Sequence, residues 1–169
     1  PLTNFFEVIS YDQRGLGQTE APSGEYSMQQ YADDAANLLD ALKIESINVF
    51  GVSFGGLVAQ EFTIRHPSRV KKLVLACTSS GGKGGSSYPL HELEELDPEM
   101  KLEKNIQIND LRITDDWVKT NQETWKKIKL DTKERQMFSP DQKNLLKQLS
   151  ARRHHDTFDR LKEIDTPVL

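Results

Sequence analysis

Residues 49–60 read VFGVSFGGLVAQ, an apolar run that reaches a serine fenced by glycines and continues with apolar positions at helical spacing. The chain has ten glycines, and three of them lie within three residues of Ser53. Gly51-Val52-Ser53-Phe54-Gly55 fits the pattern G-x-S-x-G, in which a strand turns sharply into a helix and presents the serine hydroxyl at the apex. Such a turn strains the serine backbone, and side chains two positions to either side would collide where strand and helix pass closely, so Gly51 and Gly55 are expected for geometric reasons. Gly56 is expected to let the helix approach the sheet. The helix start also aims partial positive charge and free N–H groups at the serine, an arrangement suited to a developing oxyanion.

The surroundings of this stretch support the strand–turn–helix context. INVFGV (47–52), FFEVISYD (5–12) and VKKLVLAC (70–77) each read as strands, with β-branched or aromatic content and a breaker nearby. Ser27 and Gln30 form a capping box, with Tyr26 and Tyr31 placed for a hydrophobic staple across it. Met28, Tyr31, Ala32, Ala35, Leu38, Leu39 and Leu42 then recur at helical spacing and give one buried stripe. The next helix is expected from Ser53 to about His66, closed by Pro67. This alternation implies βαβ units and a largely parallel sheet, with function at the carboxyl ends of its strands.

From about residue 81 the character changes. SSGGKGGSSY (79–88) reads as a flexible hinge, and no strand pattern follows until the last residues. Leu90, Leu93 and Leu96, then Trp117 and Trp125, then Leu145, Leu146 and Leu149 are widely spaced apolar anchors in charged sequence, and Ser139-Pro140-Asp141-Gln142 is a second capping box that starts a helix over about 140–153. The domains expected are a partial core over 1–80, a helical insertion over 81–165, and the start of a further core strand over 166–169.

Composition limits the function classes. The chain has 169 residues, 36% hydrophobic and 28% charged, with a net charge of −4 and no apolar run near the roughly 18 residues a membrane helix needs. Neither a nucleic-acid surface nor a membrane partner is expected. Cys77 is the single cysteine, reads as a small buried hydrophobe, and fits a reducing, cytoplasmic setting. Pro1 and the closing Pro167-Val168-Leu169 suggest a fragment cut at both ends.

Together these motifs resemble the α/β-hydrolase superfamily. YDQRGLGQT (11–19) resembles the segment after that fold's fourth strand, VFGVSFGG its nucleophile elbow after the fifth, HPSRVKKLVLACT its sixth strand, and IDTPVL the lead-in to its seventh. The fold class implied is an α/β-hydrolase core, a parallel sheet with flanking helices holding strands four to six and the start of seven, with an inserted helical cap. The third strand of the family's sheet lies between the fourth and fifth. Its absence would leave a gap between 5–12 and 47–52, or improper pairing.

The resemblance implies a serine hydrolase of small acyl substrates, with Ser53 as nucleophile and the Phe54 backbone N–H as one oxyanion donor. Val52 and His155 are candidate pocket-lining residues. Neither metal nor organic cofactor is implied, and the catalytic histidine and acid are expected outside this chain. Serine at the elbow argues against the branches whose nucleophile is aspartate. The DQRG variant resembles proline iminopeptidases, while SFGG and the short cap equally resemble enol-lactonases and esterases. A non-catalytic hydrolase-like ligand-binding or interaction protein is the alternative from another class. His66 reads as a helix-end residue and His91 as part of the cap. His154-His155-Asp156 looks like a base with its acid, but neighbours on a helix point about 100° apart. Asp12 and Arg14 read as residues that shape their loop.

Overall fold

Ser27 and Gln30 close the expected capping box: the Gln30 N–H donates to Ser27 Oγ at 3.2 Å, and the Ser27 N–H donates to Gln30 Oε1 at 2.9 Å. Such caps are worth about 1 kcal/mol. They open helix α1, Met28–Ala41, in a computed structural model that describes residues 2–85, 88–136 and 142–169. Tyr26 and Tyr31 meet edge to face at 5.9 Å, as the staple requires. The buried face holds Met28, Tyr31, Ala32, Ala36 and Leu39. Leu42, expected on the stripe, is exposed because the helix ends before it and Lys43 turns into the left-handed region at φ 58°.

Strand β1, Ile47–Val52, runs into helix α2, Phe54–Arg65, and the chain returns in strand β2, Val70–Ala76, parallel to β1. Ala32, Ala36 and Leu39 of α1 pack with Ala59 and Phe62 of α2 and with Val70 and Leu73 of β2. α2 is buried all along Gly56–Thr63, which explains why it shows no clean amphipathic stripe. Its buried polar groups are paired: Thr63 Oγ1 donates to the Ala59 carbonyl at 2.7 Å, Gln60 Nε2 donates to the Ser79 carbonyl at 2.9 Å, and Glu61 accepts from Arg160 at 2.6 and 3.2 Å. Beyond β2 the sheet continues through residues 167–169. The Leu73 N–H donates to the Pro167 carbonyl at 2.9 Å and the Leu169 N–H to the Leu73 carbonyl at 3.0 Å. IDTPVL therefore starts a further parallel strand, as expected.

The strand expected over 5–12 is not formed. Residues 7–13 carry no ladder, and Phe5, Phe6, Val8, Ile9 and Tyr11 are all exposed. Among the described strands, β1 pairs only with β2, so its other edge offers this segment no partner. β-propensity alone does not hold a strand without cross-strand neighbours.

Helices alone fill the described stretch between β2 and residue 167, apart from one isolated bridge. They are α3, Pro98–Asn109; α4, Asp115–Thr120; α5, Gln122–Gln136; and α6, Gln142–Arg153, with short 3-10 turns before and after. Leu102, Ile106, Ile113 and Trp125 form a small core of their own. α6 reaches the first region through Ala151, which packs with Tyr26, Tyr31 and Leu57. The capping box expected at 139–142 lies outside the described residues. The described part of the glycine stretch, expected as a flexible hinge, carries local structure. Gly81 bridges Asp156, the Thr157 N–H donates to the Ser80 carbonyl at 2.8 Å, and Gly82–Gly84 form a 3-10 turn. Among the described residues no helix is long and apolar enough to cross a membrane.

Candidate active site

β1 delivers Ser53 to the carboxyl end of the sheet, and the ladder persists into the turn through the Ser53 N–H, which donates to the Ala76 carbonyl at 2.9 Å. Ser53 then breaks the extended path with φ 51° and ψ −118°, outside the regions an ordinary side chain favours. The strain leaves its side chain exposed at the first turn of α2. The Gly56 N–H donates to the Ser53 carbonyl at 2.9 Å, whereas the N–H groups of Phe54 and Gly55 have no hydrogen-bond partner among the described residues. Two unengaged donors thus stand beside the serine at a helix start, where the backbone dipoles favour negative charge.

The glycines divide differently from the sequence expectation. A Cβ on Gly51 would meet the Gly55 carbonyl oxygen at 2.7 Å and the Gly56 Cα at 2.8 Å, and one on Gly56 would meet the Thr78 side chain at 2.5 Å. A Cβ on Gly55 would meet nothing within 4 Å among the described residues. The turn therefore excludes side chains at 51 and 56, and Gly55 is not required by packing. Thr78, which no motif singled out, fills the space against Gly56 and donates from Oγ1 to the Ser53 carbonyl at 2.9 Å.

The loop over 11–19 braces the same turn from α1. Asp12 closes its loop by accepting from the Gln18 N–H at 3.1 Å, and its own carbonyl accepts from Thr19 Oγ1 at 2.6 Å. Arg14 makes a two-pronged pair with Asp34, both contacts at 2.6 Å, and its guanidinium pKa is raised by that carboxylate. Arg14 also lies over the Tyr26 ring at 5.5 Å, Tyr26 meets Tyr31, and Tyr31 meets Phe54 edge to face at 5.2 Å. A stack of side chains thus connects the first motif to the residue after Ser53. The loop-shaping reading of Asp12 and Arg14 fits these contacts. Burial pushes the Tyr31 hydroxyl far above its ordinary value, and the buried oxygen has no partner among the described residues.

Of the two expected pocket residues, Val52 is exposed, while His155 is buried and lines a cavity of about 130 Å³. The His155 ring hydrogen-bonds Thr157 Oγ1 at 3.3 Å, and that hydroxyl also donates to Gln60 Oε1 at 2.6 Å. Burial lowers the His155 pKa below histidine's ordinary value. His154-His155-Asp156 is no base–acid pair, for a reason other than helical phase. α6 ends at Arg153, and the Asp156 carboxylate accepts from the Phe158 N–H at 3.0 Å rather than from a histidine. His66 caps the end of α2 with Nε2 2.9 Å from Asp33. Cys77, expected to be buried, is exposed and left-handed at φ 51°, because β2 ends at Ala76 and the chain turns there. Among the described residues no group of three His, Cys, Asp or Glu side chains converges as metal ligands would.

Comparison with known proteins agrees with this architecture. The family model described as alpha/beta hydrolase fold matches residues 2–107. A 2-hydroxymuconate semialdehyde hydrolase of a Pseudomonas species is 42% identical over 50% of the chain, which is 29% of that protein's length. A putative carbamate hydrolase RutD of Agrobacterium fabrum is 28% identical over 99% of the chain and 64% of its own length. Among solved structures, a hydrolase from Pseudomonas aeruginosa superposes with a TM-score of 0.72 at 25% identity, covering 99% of the chain and 61% of its own. The enol-lactonase from Burkholderia xenovorans gives 0.70 at 26%, covering 99% and 62%. The chain spans less than two thirds of each of these proteins. The strand–elbow–helix geometry around Ser53 and a family match over more than half the sequence lead to one conclusion: the chain belongs to the α/β hydrolase fold family.

Proposed function

We propose that the whole protein is a serine hydrolase of small acyl substrates, with Ser53 as its nucleophile. Ser53 Oγ attacks the carbonyl carbon of an ester, lactone or amide, giving its proton to a histidine base. The carbonyl oxygen takes up the negative charge and is met by the Phe54 N–H. Collapse of the intermediate expels the alcohol or amine and leaves an acyl group on Ser53, which water then releases as the acid. In the order the fold family uses, the base and its supporting acid come after the nucleophile. The helical segment 81–165 serves as a cap over the site.

The observation that carries this reading is the exposed serine held in a strained turn beside the unengaged Phe54 N–H. The hydrolase relatives and the enol-lactonase neighbour support the same reaction class. The test is labelling of the whole protein by a fluorophosphonate probe. Labelling that disappears in Ser53→Ala is expected; labelling that persists in the variant, or none in the parent, defeats the assignment.

A further inference from the structure

The end of β2 holds both backbone polar groups of Ser53. The Ser53 N–H donates to the Ala76 carbonyl at 2.9 Å, and the Ser53 carbonyl accepts from Thr78 Oγ1 at 2.9 Å. Between these two contacts lies Cys77, left-handed at φ 51°. An extended chain advances about 3.3 Å per residue and would carry residue 78 onward from Ala76, whereas the turn at Cys77 lets its hydroxyl reach Ser53. Non-glycine residues are uncommon in that region, and they persist there where surrounding contacts fix them. The support under Thr78 is itself anchored. The next carbonyl, that of Ser79, accepts from buried Gln60 at 2.9 Å, and the Thr78 side chain fills the space against Gly56.

The Ser53 carbonyl and the Phe54 N–H belong to one peptide group. That group is planar and trans, so its C=O and N–H point in opposite directions, and whatever fixes the carbonyl also aims the N–H. The Gly56 N–H also donates to this carbonyl at 2.9 Å, but Gly56 lies in the first turn of α2 and moves with it. Thr78 stands on the sheet side of the turn, so its hydroxyl fixes the peptide relative to β2 rather than relative to the helix.

We propose that Thr78 is a positioning residue: its hydroxyl holds the Ser53–Phe54 peptide so that the Phe54 N–H faces the oxyanion formed as Ser53 attacks. Thr78 touches no reacting atom, and its effect on turnover rests on the serine-hydrolase reading. A donor fixed in advance stabilises developing charge without reorienting at the moment of reaction. Loosening it therefore weakens the transition state more than bound substrate and lowers kcat rather than raising KM.

Thr78→Ala and Thr78→Ser differ only in the hydroxyl, and both are compared with the parent in the whole protein. With 4-nitrophenyl butyrate, Thr78→Ala is expected to lower kcat by about tenfold or more with KM within about twofold, and Thr78→Ser to return kcat to within about threefold of the parent. The second readout is inhibition by 1,1,1-trifluoropentan-2-one. Its carbonyl carbon takes up the serine oxygen reversibly and leaves an oxyanion with no leaving group. Its inhibition constant is expected to rise in Thr78→Ala by about the factor lost from kcat. A partly unfolded variant would lose kcat and keep that constant. Should Thr78→Ala not fold, Thr78→Val keeps the shape of threonine without its hydroxyl and takes its place. Equal kcat in the alanine and serine variants, or a loss of kcat with an unchanged inhibition constant, overturns the role even if fluorophosphonate labels Ser53. The Phe54 amide proton resonance reads the same clamp without chemistry, and it is expected to shift or broaden in Thr78→Ala and to hold in Thr78→Ser. That dependence in a protein that fluorophosphonate does not label leaves the clamp standing and removes the nucleophile; its absence overturns the clamp.

Discussion

At the carboxyl end of β1 and at the carboxyl end of β2, Ser53 and Cys77 each take a left-handed backbone with φ 51° and leave the side chain exposed. By side chain alone Cys77 is the better nucleophile. The two differ in the chain that comes after them. Ser53 enters α2 at the next position, and the Phe54 and Gly55 N–H groups stand unengaged beside it. Cys77 runs into an irregular stretch rather than a helix, and side-chain and carbonyl groups of that stretch hold the structure. Thr78 donates to the Ser53 carbonyl, the Ser79 carbonyl accepts from Gln60, and the Ser80 carbonyl accepts from Thr157. A strained turn and an exposed nucleophilic atom are thus shared by both positions; what Ser53 alone has is a helix start, whose aligned backbone dipoles favour the developing charge.

The largest test of this contrast exchanges one nucleophile at a time in the whole protein. Ser53→Ala is expected to lower kcat for ester hydrolysis by about 10⁴-fold or more, since loss of a serine nucleophile removes the acyl-enzyme route. Cys77→Ala is expected to keep kcat within about twofold. Steady-state turnover of 4-nitrophenyl butyrate reads both, and a large loss in Cys77→Ala would show that the end of β2 takes part in the chemistry.

The next test concerns the support beneath the elbow. Glu61 lies two turns along α2 from Ser53, is 1% exposed, and is neutralised by Arg160 through two contacts. Removing one partner of a buried pair leaves a charge without compensation, so Arg160→Met is expected to cost about 3 kcal/mol in urea unfolding. Glu61→Leu combined with Arg160→Met is expected to recover most of that loss, because no buried charge is left. A double variant as unstable as the single one would mean that packing, rather than charge, carries the effect.

Much of this contrast could be read in the sequence, and the parts that could not share a cause. The capping box at Ser27, the elbow and the return strand are local patterns, set by neighbours within a few residues. The burial of Cys77, the strand over 5–12 and the need for Gly55 are expectations from residue type and local pattern, and each depends on what stands across from the residue. Residues 5–12 have strand composition but no partner along the outer edge of β1. Thr78 and Gln60 end two of the quoted stretches, but they act through contacts spanning 25 and 19 positions that no local pattern marks. The cavity gathers residues from four separate stretches, and of these only His155 is expected from the sequence to line a pocket.

The glycines allow a finer test of the elbow's packing. Gly56→Ala places a Cβ 2.5 Å from the Thr78 side chain, and such overpacking is expected to cost about 1–3 kcal/mol in urea unfolding. Gly55→Ala meets open space in a helix with ordinary backbone angles, and by restricting the unfolded chain it is expected to raise stability by about 0.5 kcal/mol. Two adjacent glycines should thus give opposite signs. A loss at Gly55 matching that at Gly56 would return both to the elbow's steric requirement.

The smallest expected effect probes the tie that holds the end of β2. His155 is buried against Thr157, and burial lowers its pKa from the ordinary 6.5. The unfolded chain therefore binds a proton there more readily than the native one, so stability rises with pH between the folded and unfolded values and is full above about 6.5. Urea midpoints measured at pH 7.5 and 5.5 are expected to fall on the acid side, and the fall is expected to shrink in His155→Gln, which cannot titrate. Glu99 and Asp110, each held down to about 2 by basic partners, keep their charge across this range and do not contribute to the slope. An unchanged slope in His155→Gln would place the acid sensitivity elsewhere. If His155 does carry it, the cost is that of forming a charge in the buried site beside Thr157, whose hydroxyl ties Gln60 to Ser80 in the stretch after Cys77.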